Sequence, residues 1–192
     1  MSTDEVSVSV SGSPVKGDLR QRQAALKQQY REHPEQALIT SAVTSSTSPD
    51  SDDPTRVQIT VANEAGTVLD IGAHVAVGGP DDLSCSGDVF LASLAACQEL
   101  TIRLVAASMG VTIRHLGLRV EGDWDARGTL AVDREAPIGF RAIRVLVDLD
   151  VDAAEDRVAR LLRSAERFCV VSQTLKDAPP IELIPTIRPS EG

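Results

Sequence analysis

Apolar positions along this chain follow two periods, and each change of period marks a new element. "RVQITV" (56–61) alternates and is rich in β-branched residues, which predicts a strand. "NEAG" (63–66) predicts a turn, and "TVLDIGAHVAV" (67–77) a second strand pairing back as a hairpin. "GGPDD" (78–82) interrupts the pattern. From about Ser86 to Met109 the period becomes helical: Val89, Phe90, Leu94, Cys97, Leu100, Thr101, Leu104 and Val105 recur at steps of three and four. Ala92, Ser93, Ala95, Ala96, Ala106 and Ala107 surround that stripe, so another backbone is expected close by. Gly110 is a suitable stop.

Strand-like patterns return in "IRHLGLRVEGDWD" (113–125) and "FRAIRVLVDLDVD" (140–152); the second places Ile143, Val145, Val147 and Leu149 on one face. "ARGTLAVDREAPIG" (126–139) between them reads as loop or a short strand. Asp152 with Glu155 forms a capping-box pattern that opens a second helix, with Val158, Leu161, Leu162 and Ala165 inward. Cys169 closes it, "VVSQTLKDAPP" begins another short helix, and "IELIPTIRP" reads as a last strand. Strands in runs, with helices between the runs, predict an α+β protein. Ahead of this body, "DLRQRQAALKQQYREHP" predicts a helix with Asp18 as N-cap and Pro34 as stop. Its apolar stripe (Leu19, Ala25, Leu26, Tyr30) is narrow, as in an arm that packs on the body or on a partner subunit. The expected organisation is a disordered N-terminus (1–16), a helical arm (17–43), a linker (44–55) and one domain (56–187).

Composition narrows the function classes. Of 192 residues, 42% are hydrophobic but only 3% aromatic, so the core must be mainly aliphatic. A net charge of −9 argues against nucleic acid and anionic membranes as partners. No segment reads as the roughly 18 apolar residues of a membrane span, and the N-terminus has no basic and apolar leader pattern; a cytoplasmic location is the resulting expectation.

The chain has three cysteines at irregular spacing. In a reducing compartment that favours free or catalytic thiols over a disulfide framework. Cys85 and Cys97 stand about 18 Å apart along a continuous helix, too far for a bridge. Cys169 lies at a junction: a helix starting there would favour its thiolate, whereas a helix only ending there would disfavour it. From the residues alone, packing is the better account of Cys97 and Cys169. His33, His74 and His115 show no metal-ligand spacing, so no metal is expected, and no nucleotide or other cofactor motif is present. Asp81, Asp82 and Asp88 read as partners of the positive end of the central helix, and Trp124 as a packed strand end.

A hairpin, then "GG-x-x-x-L", then "FLASLAACQELTIRLVAASMGV", and later "ERFCVVSQTL" after a capped helix, together resemble the OsmC/Ohr family over about residues 56–187. The resemblance implies an OsmC-like fold: an intertwined homodimer with two long central helices wrapped by antiparallel sheets. It further implies a thiol-dependent reduction of organic hydroperoxides, with Cys97 as peroxidatic and Cys169 as resolving cysteine, recharged by a dithiol or a lipoyl protein. Family peroxidases carry a Glu about ten residues before the first cysteine; here that position is Gly87, with Asp88 beside it. The family's hairpin arginine has no counterpart in "NEAGTVLDIGAH", which leaves Arg56 as a candidate by region and Cys85 as an additional thiol. The proline that commonly follows the second cysteine is Val170 here. These departures support a second expectation: a catalytically altered dimer that binds a small apolar or thiol ligand.

Overall fold

The computed structural model describes residues 18–45 and 52–187. Its internal contacts divide the chain into two units, residues 1–41 and 42–192. In the first, α1 (Leu19–Glu32) leads into a 3-10 turn at Pro34–Ala37, and no residue of either is buried. Asp18 is the N-cap residue, but its carboxylate makes no capping hydrogen bond. The stretch expected to be disordered, residues 1–16, lies outside the described residues.

The second unit opens with a three-stranded antiparallel sheet in the order β1 (Val43–Ser45), β2 (Arg56–Val61), β3 (Val68–Gly72). Thr44 and Ser45, expected in a linker, pair instead with Thr60 and Ile59, because an alternating strand offers its free edge to any extended neighbour. Residues 46–51 of that linker lie outside the described residues. β3 is shorter than expected. The chain leaves it at Gly72, and a 3-10 turn at Val75–Val77 follows, begun by the His74 ring accepting from the Ala76 N–H at 3.0 Å. Two glycines make the exit possible: Gly78 has φ +91°, and a Cβ at Gly79 would fall 1.8 Å from the Ala73 carbonyl oxygen.

The central helix α2 (Ser86–Met109) starts where Cys85 caps it. Asp88 N–H donates to the Cys85 sulfur at 3.4 Å, and Cys85 N–H donates to Asp88 Oδ2 at 3.0 Å, a capping box written with a thiol. Gly110, at φ +65°, ends it, and the Arg157 guanidinium donates to the last carbonyl, that of Met109. α2 is long and apolar enough to cross a membrane by length and composition, which corrects the expectation that no segment is. Within this fold, the strand that follows it and the two last helices of the chain pack on it.

β4 (Ile113–Asp123) and β5 (Ala142–Val151) form a long antiparallel ribbon with a register shift between Ile113 and His115. The connection contains a short helix, α3 (Ala126–Thr129), rather than a strand. α4 (Glu155–Phe168) and α5 (Val170–Lys176) complete the body. α4 begins at Ala154, with no side-chain cap, so the expected Asp152–Glu155 box does not form. "IELIPTIRP" forms no strand over its described part, 181–187. Ile181, Leu183, Ile184 and Ile187 stand exposed there.

The core joins α2 to α4. Ile102, Ala106, Val111, Leu161 and Ala165 are its buried centre, and Ile113, Leu116, Leu118, Leu149 and Val151 of the ribbon cover it. Ile102, absent from the expected stripe, is fully buried, whereas Leu100 and Leu104 face outward. The inward face is thus rotated toward Leu94, Gln98, Thr101, Ile102 and Ala106. Leu161→Ala should lower stability by about 3 kcal/mol, because a completely buried leucine leaves a cavity when truncated. Urea unfolding followed by circular dichroism checks this.

Candidate active site

The α2–α4 core places two cysteines together. α5 packs on both α2 and α4. Its attachment is local: the Gln173 amide donates to the Glu166 carbonyl at 2.9 Å, and Lys176 pairs with the Glu166 carboxylate. The corner between α4 and α5 is Cys169, which ends one helix and caps the next. It is fully buried, and its sulfur accepts from Ser172 N–H at 3.5 Å. Cys97, half-buried at mid-length of α2, lies near enough to the Cys169 thiol for each to shift the other's acidity. Both are reduced.

The two thiols differ in acidity. Burial pushes Cys97 upward, but the backbone N–H of Val171, the Cys169 thiol, the N–H of Val170 and the Thr101 hydroxyl all favour its thiolate, and together they hold it below the ordinary thiol value. Thr101 has one hydroxyl proton. It donates to the Cys97 carbonyl at 2.7 Å, so serving the sulfur instead would require the hydroxyl to rotate. Burial pushes Cys169 up, and the neighbouring Cys97 adds to that, outweighing the donation from Ser172 N–H. Of the two, Cys97 is therefore the thiol more readily ionised. The helix start at Cys169, read from sequence as favouring its own ionisation, serves chiefly the sulfur across from it.

The remaining site candidates lie elsewhere. Cys85 and Asp88 cap α2 against each other. About 18 Å of intact helix separates Cys85 from Cys97. The Arg56 guanidinium binds Asp53 at 3.0 Å and Asp82 at 2.6 Å, so Asp82 serves that pair rather than the end of α2. Neither Arg56 nor Asp88 is among the groups that set the acidity of Cys97. The backbone donors of Val170 and Val171 were not singled out from sequence. Their signal, a helix beginning at Cys169, was legible, but its target was not.

A family model described as OsmC-like protein matches residues 79–184, which span both cysteines. The chain belongs to the OsmC-like family. Solved structures agree at the level of fold. An OsmC-like protein from Mycoplasma pneumoniae superposes with a TM-score of 0.58 at 17% identity, covering 73% of this chain and 89% of that one. An OsmC-like protein of unknown function from Vibrio cholerae gives 0.58 at 8% identity over 71% and 94%. An organic hydroperoxide resistance protein from Elizabethkingia anophelis gives 0.51 at 16% identity over 73% and 91%. Comparison with curated proteins gives no match.

Within this OsmC-like chain, Gly87 stands beside the Cys85 sulfur and the Phe140 ring. A Cβ on Gly87 would lie 3.4 Å from the Cys85 sulfur and 3.5 Å from the Phe140 ring. At position 170, a proline would have no N–H to give; Val170 has one, and it favours the Cys97 thiolate. Val170→Pro should therefore slow iodoacetamide alkylation of Cys97 at pH 7 by about tenfold, the scale of one hydrogen bond to a charged group. Proline is tolerated at the first helical position, and Cys169 already has the extended backbone (φ −76°, ψ 105°) that a following proline requires. Val170→Ala keeps the N–H and should react at the wild-type rate. Mass spectrometry assigns the alkylated residue.

Proposed function

We propose that this OsmC-like protein is a thiol-dependent peroxidase that reduces organic hydroperoxides. The observation that carries the reading is the neighbouring pair of free thiols, Cys97 made more acidic than an ordinary thiol and Cys169 less so. The name of the Elizabethkingia structure, an organic hydroperoxide resistance protein, supports the substrate class.

In this mechanism the Cys97 thiolate attacks the terminal oxygen of ROOH. The O–O bond breaks, an S–O bond forms, and the departing alkoxide takes a proton to leave as ROH. Cys97 becomes a sulfenic acid. The Cys169 thiol then attacks that sulfur, its proton leaves with the sulfenic oxygen as water, and a Cys97–Cys169 disulfide forms. A dithiol, free or as the lipoyl group of a protein, reduces the disulfide by exchange and is itself oxidised to a disulfide. The N–H groups of Val170 and Val171 hold the attacking anion, the electrostatic task assigned from family resemblance to an arginine. Free thiols of this kind suit a reducing cytoplasm.

Purified protein with a dithiol should consume cumene hydroperoxide, and Cys97→Ser should reduce the rate to background. Cys169→Ser should still take one equivalent of peroxide but stop as the Cys97 sulfenic acid, trapped by dimedone. A wild-type protein that consumes neither cumene hydroperoxide nor hydrogen peroxide sinks the reading.

The working unit is proposed to be a homodimer. Support comes from apolar surface that one protomer leaves exposed: Leu100 and Leu104 on α2, Leu146 on β5, and the segment Ile181–Ile187. Small Ala92 and Ala96 share the open side of α2, which allows close approach of another helix. Size-exclusion chromatography with light scattering should give twice the mass of the 20.4 kDa chain. Leu100→Arg should shift it to the monomer.

A further inference from the structure

The corner at Cys169 interrupts what would otherwise be one helix. Glu166 lies in the last turn of α4, where carbonyls have no intrahelical partner. Had α4 continued, the N–H of Val170 would take the Glu166 carbonyl. It does not, because Cys169 adopts an extended backbone (φ −76°, ψ 105°) and the chain starts again as α5. A different donor fills the place: the side-chain amide of Gln173, at 2.9 Å. Among the described residues no backbone N–H outside α4 makes that bond. The Val170 N–H is left over, and it is one of the groups that favour ionisation of Cys97.

Gln173 is held where this exchange needs it. Its own backbone N–H donates to the Cys169 carbonyl at 2.9 Å, which fixes it one turn beyond the corner. α5 depends on such ties. It has seven residues, none of them buried, and a helix that short is marginal in isolation. Thr174 turns its hydroxyl back on the Val170 carbonyl at 2.8 Å, inside α5. Lys176 reaches α4, but its ammonium meets the exposed Glu166 carboxylate, a pair that solvent weakens. The Gln173 amide is the tie that bears on a backbone group of α4, and that group is the one that would otherwise compete for the Val170 N–H.

We propose that Gln173 is a positioning residue of the thiol site: its amide occupies the Glu166 carbonyl in place of the Val170 N–H and leaves that N–H for the Cys97 sulfur. With the amide gone, the Glu166 carbonyl is an acceptor without a donor, and the Val170 N–H is the one that helical register offers it. The corner then tightens toward a continuous helix, and Cys97 loses a donor. The inference rests on the peroxidase reading only for why an ionised Cys97 matters; its test uses no peroxide, so the two can fail separately.

The measurement is the rate of iodoacetamide alkylation at Cys97 against pH in the full chain, with mass spectrometry assigning the residue. Gln173→Met keeps the length and helix propensity of the side chain but has no N–H to give. It should move the midpoint of the profile upward and slow alkylation below that midpoint about tenfold, the scale of one hydrogen bond to a charged group. Gln173→Arg, whose guanidinium still donates to a helix-end carbonyl, should keep the wild-type midpoint. Lys176→Met should leave the midpoint nearly where it is. In a Val170→Pro background, Gln173→Met should move it no further, because no N–H remains to be redirected. Gln173 is exposed, so these substitutions at it should preserve wild-type thermal unfolding; if Gln173→Met does not, Gln173→Ala carries the same test. The proposal is overturned by any one of these results: a wild-type midpoint in the folded Gln173→Met or Gln173→Ala protein, an equal shift in Gln173→Arg or Lys176→Met, or a further shift on top of Val170→Pro.

Discussion

The seat of α5 on α2 is the constraint on which the candidate chemistry depends. A thiol in the middle of an apolar helix is ordinarily neutral, since burial disfavours the anion. Here Cys169 turns the chain from α4 into α5, so that the first N–H groups of the new helix face Cys97. The same turn brings the second thiol near Cys97 and buries it. One corner thus supplies N–H groups that favour ionisation of Cys97, places the second thiol beside it, and shields that thiol from solvent. The α2–α4 core around Ile102 and Leu161 holds the corner in register, so stability and reactivity share residues without sharing side-chain roles.

Much of this frame is legible in the sequence because periodicity reports burial. The helical stripe of α2, the stop at Gly110, the inward face of α4 and the two ribbon strands all follow from spacing. The misses have physical reasons. Leu100 and Leu104 are apolar, yet they face outward in a single protomer, so a period alone rotated the stripe away from Ile102. Asp152 and Glu155 have capping-box spacing, but the chain becomes helical only after Ala154. β1 was hidden in a polar stretch, because edge pairing uses backbone groups that composition does not reveal.

The site was only half legible. Both cysteines stand out by resemblance, and their order along the chain suggests a pair. The resemblance suggests their roles, but the physical cause of their different acidities was not readable, because it rests on backbone N–H groups that every residue except proline carries. Arg56 and Asp88 show the converse: side chains of the right chemistry in the right region, each already committed, to Asp53 and Asp82 in one case and to Cys85 in the other. A charge in sequence is a capacity, and the fold decides who claims it.

The thiol-built cap at the start of α2 has a mechanical meaning. Cys85 forms an isolated bridge to Gly72, the last residue of β3, while its sulfur and N–H hold the first turn of the helix. The three-stranded sheet is thereby hitched to one end of a continuous rod, and Cys97 rides on that rod about 14 Å beyond Asp88. Sheet and sulfur are thus fixed to the same rod, so where the sheet seats the helix also sets where Cys97 stands relative to the α4–α5 corner. The two valine N–H groups belong to the corner and not to the rod. Acidity at the sulfur is thus a property of the seam between rod and corner, and of neither alone.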